Sequence, residues 1–519
     1  MEVVMARKFI CTPSFPIVNT KQGRLRGYQV DDVYTFLGVG YAKAERFRPP
    51  QEPDAWEGIK DAHSYGYVCP LMSQSEPGID LIMPRRFWLM DEHCQNLNIW
   101  TTSLDKDAKK PVMVWLHGGG FTTGSAIELM AYEGDHLSSY GDVVVVTINH
   151  RLNILGYMDL SAYGEKYKNS ANAGNADIVA ALKWIHENIE AFGGNPENVT
   201  LFGESGGGEK VICMLNTPEA DGLFHKGIIQ SGVTDLYWDA EENGQELIAL
   251  MLDEAGLDEK DVEALEEMPY TQLVSIYRSV VKQMIDKGGY IGCGPVKNDW
   301  YLGNPKTHGF SDHAKKIPLL VGTVLGELHY EPGVQNKYTL SESEMLKLLV
   351  QEYGEDTERL VSLFKMAYPN KNLTDLLYVD YFIRRFTSQF IEQHVRECEA
   401  PVYSYLFAYD LPLDGGKVAV HTAEIPFVFH NTDRSPLYNV EGETDRIEEQ
   451  FCSAFVNFAK YGKPSAMDMP DWPACTVETE NTMIIDKTCE IRSNYDQELI
   501  KKLTECDKGS WISLAQFVL

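Results

Sequence analysis

The chain of 519 residues is long enough for a large buried core, and its 44% hydrophobic and 24% charged residues are typical of a globular protein. A formal net charge of −30 excludes nucleic acid and anionic membranes as partners, because both require a basic surface. The ten cysteines are scattered without metal-ligand spacing, so neither a metal nor a cofactor is expected. The sequence shows no secretory signal and no apolar run of about 18 residues, so we expect a cytoplasmic protein without a membrane span.

The first part of the chain, 18–59, consists of short alternating runs and turns that predict a small antiparallel sheet. Prolines and a Pro-Gly pair then predict a loop between Cys69 and Cys94. From residue 96 the pattern changes to apolar runs typical of buried strands, which alternate with segments of helical periodicity. The predicted strands are 96–100, 111–116, 142–148, 199–204, 227–230, 317–322, 402–407 and 482–485, and the predicted helices are 178–192, a helix from 207, 241–287, 341–368, 375–396 and 448–461.

This alternation predicts an α/β fold, with a large, mostly parallel, twisted central sheet flanked by helices. The sequence contains no internal repeat and no low-complexity linker, so we expect a single domain over 1–519. Helical insertions at about 235–310 and 335–400 are expected to form a cap over the strand ends.

The segment 199–207 predicts a buried strand that turns sharply into a helix through Gly-Glu-Ser-Gly-Gly at 203–207. This Gly-x-Ser-x-Gly pattern is typical of the nucleophile elbow of α/β-hydrolases, in which the oxygen of the serine, here Ser205, projects from the edge of the sheet. Gly203 and Gly207 leave room for the close backbone crossing, and the helix N-terminus adds positive potential beside a developing oxyanion. Because such a motif also arises by chance, its support must come from other segments.

A second pattern, His-Gly-Gly-Gly-Phe at 117–121, follows the predicted strand 111–116. Its three glycines leave backbone N–H groups bare and allow conformations that other residues resist. Such a loop lies opposite the nucleophile elbow in α/β-hydrolases and donates hydrogen bonds to the oxyanion. The two motifs together indicate a serine hydrolase whose acid and base lie elsewhere in the chain.

Ordered motifs along nearly the whole chain resemble the type-B carboxylesterase family, the carboxylesterase/cholinesterase group of α/β-hydrolases, and most of all its bacterial, para-nitrobenzyl-esterase-like members. They are Phe-Arg-Pro-Pro at 47–50, the segment 92–100, the loop 117–121, Asn-His-Arg-Leu at 149–152, Asn-Ala-Gly-Asn at 172–175, Ala-Leu-Lys-Trp-Ile at 181–185, Phe-Gly-Gly-Asn-Pro at 192–196, Phe-Gly-Glu-Ser at 202–205, Gln-Ser-Gly at 230–232 and Trp-Pro at 472–473. The resemblance implies an α/β-hydrolase fold and a serine esterase that cleaves carboxylic esters through an acyl-enzyme intermediate.

The family triad runs serine, glutamate, histidine in chain order, and the resemblance assigns these roles to Ser205, Glu327 and His421. His421 opens a His-x-x-Glu-x-x-Phe-Val-Phe segment that fits the family closely. Glu327 fits less closely, because Val324 stands where the family usually has asparagine and Leu328 where it usually has glycine. In this chemistry the histidine takes the serine proton, and the carboxylate orients the imidazole and stabilises its charged form.

Other residues compete for the acid and base roles. Glu424 and Asp235 are the competing carboxylates, and Glu424 follows His421 so closely that a structural role is favoured. His117 and His150 are the competing histidines, and neither has the chain order expected of the base. His117 adjoins the oxyanion loop and is expected to order it by hydrogen bonding, whereas His150 is expected to pack in the core.

The expected oxyanion hole consists of the backbone N–H groups of Gly119, Gly120 and Gly206, and the family commonly has alanine at the last of these positions. The resemblance also implies that Ser231 supports the acid carboxylate. Lys210, on the helix after the elbow, is interpreted as a structural partner of a nearby carboxylate and not as a catalytic group.

The substrate pocket is predicted from aromatic residues near these segments. Trp238 falls where relatives line the acyl pocket, and Tyr330 falls where they line the gorge. Phe121 and the pair Phe87 and Trp88 are further candidates, and core packing is the alternative interpretation for each aromatic residue.

The resemblance implies a salt bridge between Arg46 and Glu92, and it aligns Cys69 and Cys94 with a loop cystine of secreted relatives. Free thiols are expected here, because the chain shows no secretory signal. The loop between the two cysteines lacks the tryptophan spacing of a choline-type site, so the expected substrates are small or medium uncharged carboxylic esters.

Two other functions remain open at this stage. The first is a non-catalytic, adhesion-type binding protein that reuses the fold, which the complete set of triad candidates disfavours. The second is a hydrolase with narrower lipase or amidase specificity, which the sequence does not separate from a general esterase because one fold and triad serve many substrates.

Overall fold

The structure is a computed structural model that describes residues 7–72, 83–234, 244–286, 293–413, 415–435 and 437–507. The strands of this part, numbered in chain order, are β1 Phe9–Ile10, β2 Ile17–Asn19, β3 Arg24–Arg26, β4 Tyr28–Val30, β5 Val33–Gly40, β6 Ile59–Asp61, β7 Asn96–Thr101, β8 Lys110–Leu116, β9 Val144–Ile148, β10 Gly194–Glu204, β11 Lys226–Gln230, β12 Leu319–Val324, β13 Val402–Phe407, β14 Asn481–Ile485 and β15 Glu490–Ser493. The α-helices are α1 Asp135–Gly141, α2 Asn153–Gly156, α3 Ala173–Asn188, α4 Gly206–Leu215, α5 Gly244–Ala255, α6 Ala264–Glu267, α7 Tyr270–Asp286, α8 Pro305–His308, α9 Glu342–Tyr353, α10 Thr357–Ala367, α11 Phe382–Glu397, α12 Ile425–Val428, α13 Thr444–Tyr461 and α14 Gln497–Cys506.

Within the described residues, one central sheet contains twelve strands in the order β1-β4-β5-β7-β9-β8-β10-β11-β12-β13-β14-β15. Neighbours from β9 to β14 run parallel, and the strands toward both edges pair antiparallel. The predicted fold class, a large and mostly parallel sheet flanked by helices, is confirmed. None of the described helices has the length and apolar character needed to cross a bilayer.

Helices cover both faces of the sheet, and the alternation of side chains along β8 shows how the core divides into two layers. Val114 packs in the same apolar cluster as Leu182 of α3, whereas Trp115 faces the other cluster together with Phe455 of α13. Because both faces are covered, the central strands read as continuous apolar runs, which is why the sequence revealed them so clearly.

The N-terminal region differs in detail from its prediction. A small separate sheet contains β2, β3 and β6, with β2 antiparallel and β6 parallel to β3. The hairpin of β4 and β5 belongs instead to the central sheet, because β5 pairs with β7 along the edge. The apolar side chains of β5, including Phe36, are buried in that larger core.

Both expected helical insertions contain helices in the part that the structure describes. The first contains α5, α6, α7 and α8, and residues 235–243 and 287–292 lie outside the described residues. The second contains α9, α10 and α11, of which α11 packs against β12 and β13 and therefore covers the sheet itself. The single-domain organisation with a cap over the site stays a prediction.

The carboxyl ends of the parallel strands bring the predicted motifs together. β8 ends at Leu116 just before the glycine loop, and β10 ends at Glu204 just before the predicted nucleophile. β11 ends at Gln230 and β12 at Val324, directly before the segments of Ser231 and Glu327. Because neighbouring parallel strands end at the same edge, these loops lie side by side, where ligands of open α/β sheets bind.

Candidate active site

Ser205 lies at a sharp turn between β10 and α4. Its backbone has φ 57° and ψ −128°, a conformation that residues other than glycine rarely adopt. The turn is held by a hydrogen bond from the Ser205 N–H to the carbonyl oxygen of Gln230 at 2.8 Å, and the Ser205 carbonyl accepts from the Glu209 N–H at 3.1 Å. The strand-to-helix elbow predicted from Gly-x-Ser-x-Gly is therefore present in the backbone.

Two glycines permit the close crossing at this elbow. A Cβ placed on Gly207 would lie 1.9 Å from the carbonyl oxygen of Leu116, at the end of β8. A Cβ placed on Gly203 would lie 2.5 Å from the carbonyl carbon of Gly207. Both distances are far inside van der Waals contact, so α4 starts where only glycine fits.

The loop after β8 bends back toward the elbow. Gly119 and Gly120 have φ values of 88° and 60°, which glycine adopts without cost. A Cβ placed on Gly118 would lie 3.4 Å from the Cβ of Ser205, and one on Gly206 would lie 2.4 Å from the amide nitrogen of Gly120. The three glycines predicted to supply oxyanion donors therefore adjoin one another beside the serine.

The alanine that is common in relatives at position 206 does not fit this arrangement. Its Cβ would also lie 2.3 Å from the Cα and the carbonyl oxygen of Gly120. Glycine at 206 and the close approach of the loop therefore belong together in this chain.

Glu327 and His421 form a buried pair next to the elbow. The Nδ1 of His421 lies 2.6 Å from Oε2 of Glu327, and the His421 N–H donates to the Glu327 carbonyl oxygen at 2.7 Å. The other carboxylate oxygen, Oε1, accepts from the Ser231 hydroxyl at 2.7 Å and from the Val324 N–H at 2.9 Å. The carboxylate is thus fixed by three hydrogen bonds, one of them from the His421 ring, and the Glu327 backbone accepts a fourth.

The departure from the family pattern at Val324 is explained by these contacts. The bond to Glu327 comes from the backbone N–H of residue 324, so the side chain at that position does not decide whether the carboxylate is held. Ser231, predicted to support the acid, makes its contact through the side chain and is itself fully buried.

The opposite edge of the His421 ring faces a residue that the sequence reasoning overlooked. Its Nε2 lies 3.2 Å from Oε1 of Glu204, the residue directly before the predicted nucleophile. Among the hydrogen bonds of the described residues, none joins His421 to the hydroxyl of Ser205. The sequence shows that Glu204 stands next to the serine, but its contact with His421 depends on how the distant His421 segment folds back.

Burial and charge act strongly on this cluster. Burial raises the pKa of Glu204 to about 7, although His421 opposes the shift. Burial, together with Glu204 and Glu327, also raises the pKa of Glu424. Burial alone would lower the pKa of His421, but Glu204 and Glu327 outweigh it and raise that pKa to about 10. The histidine is therefore a stronger base here than in water.

The other candidates for the acid and the base make different contacts. Glu424 is buried and accepts from Gln230 Nε2 at 3.4 Å, but it does not contact Nδ1 of His421. His117 and His150 stack on each other under the glycine loop with ring centroids 5.0 Å apart, and His117 Nδ1 donates to the Gly118 carbonyl at 2.9 Å. Burial lowers the pKa of both imidazoles. Asp235 lies outside the described residues.

Lys210 has a different partner from the one expected. It is fully buried on α4, and its Nζ donates to the carbonyl oxygen of His117 at 3.0 Å, where β8 becomes the glycine loop. Within the part of the chain that the structure describes, it forms no ion pair with a carboxylate, although the charges of Glu209 and Glu128 act on it. Burial lowers the pKa of Lys210 to about 7.

The predicted pocket residues have different environments. Phe121 is buried and packs edge-on against Tyr157, and it also lines a small cavity together with Glu209 and Ile212 of α4. Tyr330 is 39% exposed, and Phe87 and Trp88 lie on the outer surface. Trp238 lies outside the described residues.

Two further expectations concern the loop between the paired family cysteines. The salt bridge between Arg46 and Glu92 is confirmed, with Nε of the arginine 2.9 Å from Oε2 of the glutamate. Cys69 and Cys94 are both buried free thiols, as expected. Burial and the neighbouring Cys69 raise the pKa of the Cys94 thiol.

Comparison with known proteins connects this geometry to one family. The profile of the carboxylesterase family matches residues 14–502. The chain is 32% identical over 505 residues to the para-nitrobenzyl esterase of Bacillus subtilis, a match that covers 94% of this chain and 98% of that protein.

Solved structures agree. A carboxylesterase of Geobacillus stearothermophilus superposes with a TM-score of 0.73 at 31% identity, over 94% of this chain and 99% of that one. An esterase from anaerobic Clostridium hathewayi, which can hydrolyse aliphatic aromatic polyesters, superposes with a TM-score of 0.94 at 47% identity, over 97% of this chain and all of that one. The chain therefore belongs to the carboxylesterase family and is a carboxylic ester hydrolase.

Proposed function

We propose that Ser205, His421 and Glu327 form a catalytic triad that cleaves carboxylic esters through an acyl-enzyme intermediate. The observation that carries this proposal is the buried hydrogen bond of 2.6 Å between His421 Nδ1 and Glu327 Oε2, beside a serine at a strained turn. Such an arrangement fixes the imidazole tautomer, so that its other nitrogen can take the serine proton.

For the proton transfer, Nε2 of His421 must exchange its contact with Glu204 for a contact with the Ser205 hydroxyl. His421 Nε2 lies 3.2 Å from Glu204 Oε1, so Ser205 competes with Glu204 for it. The pKa of Glu204 is raised to about 7 chiefly by burial, so near neutral pH this carboxylate is partly protonated and attracts the imidazole less than a full charge would. Catalytic hydrogen bonds often become short only when substrate binds, which is consistent with this starting geometry.

The tetrahedral oxyanion would be stabilised by the N–H groups of Gly119, Gly120 and Gly206. Their support is the close approach of the glycine loop to the start of α4 on the serine side. Each such donor typically contributes about 3–4 kcal/mol to transition-state stabilisation. His421 then returns the proton to the leaving alcohol, and water repeats the sequence on the acyl-enzyme.

The substrates we propose are uncharged esters, including segments of aliphatic–aromatic polyesters. The polyester class comes from the Clostridium hathewayi esterase, which is 47% identical across 97% of this chain. A net charge of −30 disfavours anionic esters. We also propose a cytoplasmic location, because all ten cysteines are free thiols, which suits a reducing compartment.

The test is the variant Ser205→Ala, assayed with a p-nitrophenyl acyl ester. Loss of the nucleophile should reduce kcat by about 10⁶-fold while the fold persists, as shown by an unchanged circular dichroism spectrum. Ser161→Ala, at an exposed position, serves as the matched control and should keep full activity. Turnover that survives in purified Ser205→Ala would contradict the proposal.

A further inference from the structure

An apolar strip lies exposed on the surface at 87–90, where four consecutive residues are Phe, Trp, Leu and Met. Phe87 is 72% exposed, Leu89 is 69% exposed, and Trp88 and Met90 are about two-fifths exposed. Single exposed apolar residues are common on protein surfaces, but contiguous patches mark sites of interaction.

The backbone of the strip is held in place by its neighbours. The Val68 N–H donates to the Leu89 carbonyl at 3.0 Å, and the Asp91 N–H donates to the Val68 carbonyl at 3.0 Å. The Trp88 ring packs edge-on against Tyr65 with centroids 5.6 Å apart. The strip therefore presents its side chains from an ordered scaffold.

The strip is linked to the segment that follows the glycine loop. The residues just before it pair with the segment that follows the glycine loop, through the Arg86 N–H and the Glu128 carbonyl at 2.6 Å. The side chain of Glu128 lies near Gly124, since its Oε1 would lie 3.2 Å from a Cβ there, and its charge acts on Glu204 beside the predicted nucleophile.

A second link runs through Tyr330. Although its side chain is partly exposed, burial of the hydroxyl and the nearby Glu204 and Glu327 raise the pKa of Tyr330, and the Arg85 guanidinium opposes them. Tyr330 is thus within electrostatic reach of both the catalytic cluster and the residue that precedes the strip by two positions.

The two arginines that precede the strip are each close to a carboxylate. Arg85 lies 3.9 Å from Glu128, and Arg86 pairs with Glu133, so neither arginine adds a net charge beside the apolar side chains. The chain as a whole carries −30, which disfavours an anionic lipid surface and also a second copy of the chain. A neutral, apolar occupant matches these properties best.

The strip also borders a surface groove. Met90 lines this groove of about 1020 Å³ together with Leu71, Tyr270 and Val274, and charged side chains, among them Arg46, Glu92 and Glu266, line the rest of it. A flat or extended ligand lying across the strip can therefore enter a depression beside it.

We propose that the strip 87–90 docks the surface of an aliphatic–aromatic polyester and holds it beside Ser205. This inference rests on the proposed polyester activity, and it assigns the adsorption step to residues outside the catalytic machinery. The alternating aliphatic and aromatic units of such a polymer are neutral and apolar, which is the chemistry that Phe87, Trp88 and Leu89 accept.

The decisive experiment measures adsorption separately from hydrolysis. In a Ser205→Ala background, which cannot degrade the film, binding to a poly(butylene adipate-co-terephthalate) film is compared with and without Phe87→Ser and Leu89→Ser. We expect the double substitution to weaken adsorption by about tenfold or more, because two large apolar side chains lose their contact area. Trp88 is left in place, since it packs on Tyr65.

The matched control replaces two exposed apolar residues at the end of α13 and beyond it. Tyr461 and Met467 are 77% and 84% exposed, and Tyr461→Ser with Met467→Ser should leave adsorption unchanged. With Ser205 intact, the strip variant should degrade the film more slowly by a similar factor, while kcat/KM for p-nitrophenyl acetate stays at the wild-type value.

Each other outcome points elsewhere. Equal adsorption of the strip variant and the parent overturns the proposal. If the parent binds neutral phosphatidylcholine vesicles as strongly as it binds the film, the strip is assigned to lipid. If the strip variant and the parent differ in sedimentation coefficient, the strip is assigned to contact with a second copy of the chain. Failure of the proposed function looks different, because the wild type would then adsorb to the film without hydrolysing either the film or the soluble ester.

Discussion

The two sides of Ser205 are shaped by different groups, the backbone on one side and charged side chains on the other. On one side the glycine loop meets the start of α4, and Gly206 and Gly207 approach other backbone atoms with no room for a Cβ. On the other side His421 lies between the carboxylates of Glu327 and Glu204, and the contacts are made by side chains.

This difference predicts what each side tolerates. The glycine side is shaped by backbone packing, so a change of volume there should lower the rate without moving the pH profile. The carboxylate side is fixed by hydrogen bonds and ion contacts, so it should be sensitive to charge even when shape is preserved. Substitutions that change only one of these properties test the comparison directly.

The largest effect is expected on the carboxylate side from Glu327→Gln, which keeps the shape and removes the charge. The amide should allow the wrong imidazole tautomer and leave the charged histidine unsupported, so kcat should fall by about 10⁴-fold. The measurement is the steady-state rate on a p-nitrophenyl ester.

Glu424→Gln is the matched control, because Glu424 is buried in the same cluster but does not contact His421 Nδ1. It should change kcat far less than Glu327→Gln. A severe loss at Glu424 with a mild one at Glu327 would transfer the role of the acid.

On the glycine side, Gly206→Ala adds one methyl group and no charge. That Cβ would lie 2.3–2.4 Å from the backbone of Gly120, so the loop must move and one oxyanion donor should be misplaced. We expect kcat to fall by about 10²–10³-fold with an unchanged pH profile.

Gly40→Ala is the control for Gly206→Ala, because a Cβ at Gly40 meets no atom within 4 Å. It should leave kcat unchanged. If Gly206→Ala were fully active, the close packing of the loop against α4 would not be part of the active state.

A smaller effect, on pH dependence, is expected from Glu204→Gln. The carboxylates of Glu204 and Glu327 outweigh burial and raise the pKa of His421. Because the base acts only when neutral, activity is lost as the pH falls through this pKa. Removing the Glu204 charge lowers the pKa of His421, so the acid limb of kcat/KM should move to lower pH.

Glu424→Gln should move the same limb in the same direction but by less, since Glu424 contributes a weaker field at His421. The pH–rate profiles of both variants and of Gly206→Ala provide the comparison. An acid limb that stays in place in Glu204→Gln would show that Glu204 is uncharged in the working enzyme.

The comparison also explains what could be predicted from the sequence. The glycine side was predictable, because close backbone packing demands glycine and leaves a motif of residue types at 117–121 and 203–207. The pairing of His421 with Glu327 came from family motifs, and the structure places these two side chains in contact.

What the sequence did not reveal depends on backbone atoms or on distant segments. The bond that holds Glu327 comes from the N–H of Val324, so the unusual residue type there was no guide. The contact between Glu204 and His421 joins segments far apart in the chain. The start of α3 at Ala173 was missed because its first turn contains Asn175 and Asp177, polar residues that are buried by hydrogen bonding and give no apolar periodicity.

The smallest effect is expected from Lys210→Met, which tests whether the glycine side is held from beneath. Lys210 Nζ bonds to the His117 carbonyl at 3.0 Å, so its loss should loosen the loop and reduce kcat several-fold, with KM unchanged. The melting temperature should stay the same or rise, because an apolar side chain of similar volume replaces a buried amine without an ion pair.

Lys226→Met is the control that distinguishes the loss of the bond between Lys210 and the loop from the replacement of a buried lysine in general. Lys226 is also largely buried, and burial lowers its pKa to about 8, but it lies at the start of β11, the end of the strand away from the catalytic loops. It should therefore leave kcat unchanged. A trifluoromethyl ketone, whose adduct mimics the tetrahedral oxyanion, should lose affinity for Lys210→Met by the factor that kcat/KM loses. Equal kcat values for Lys210→Met and the wild type would show that the packing of Gly206 and Gly207 alone positions the loop.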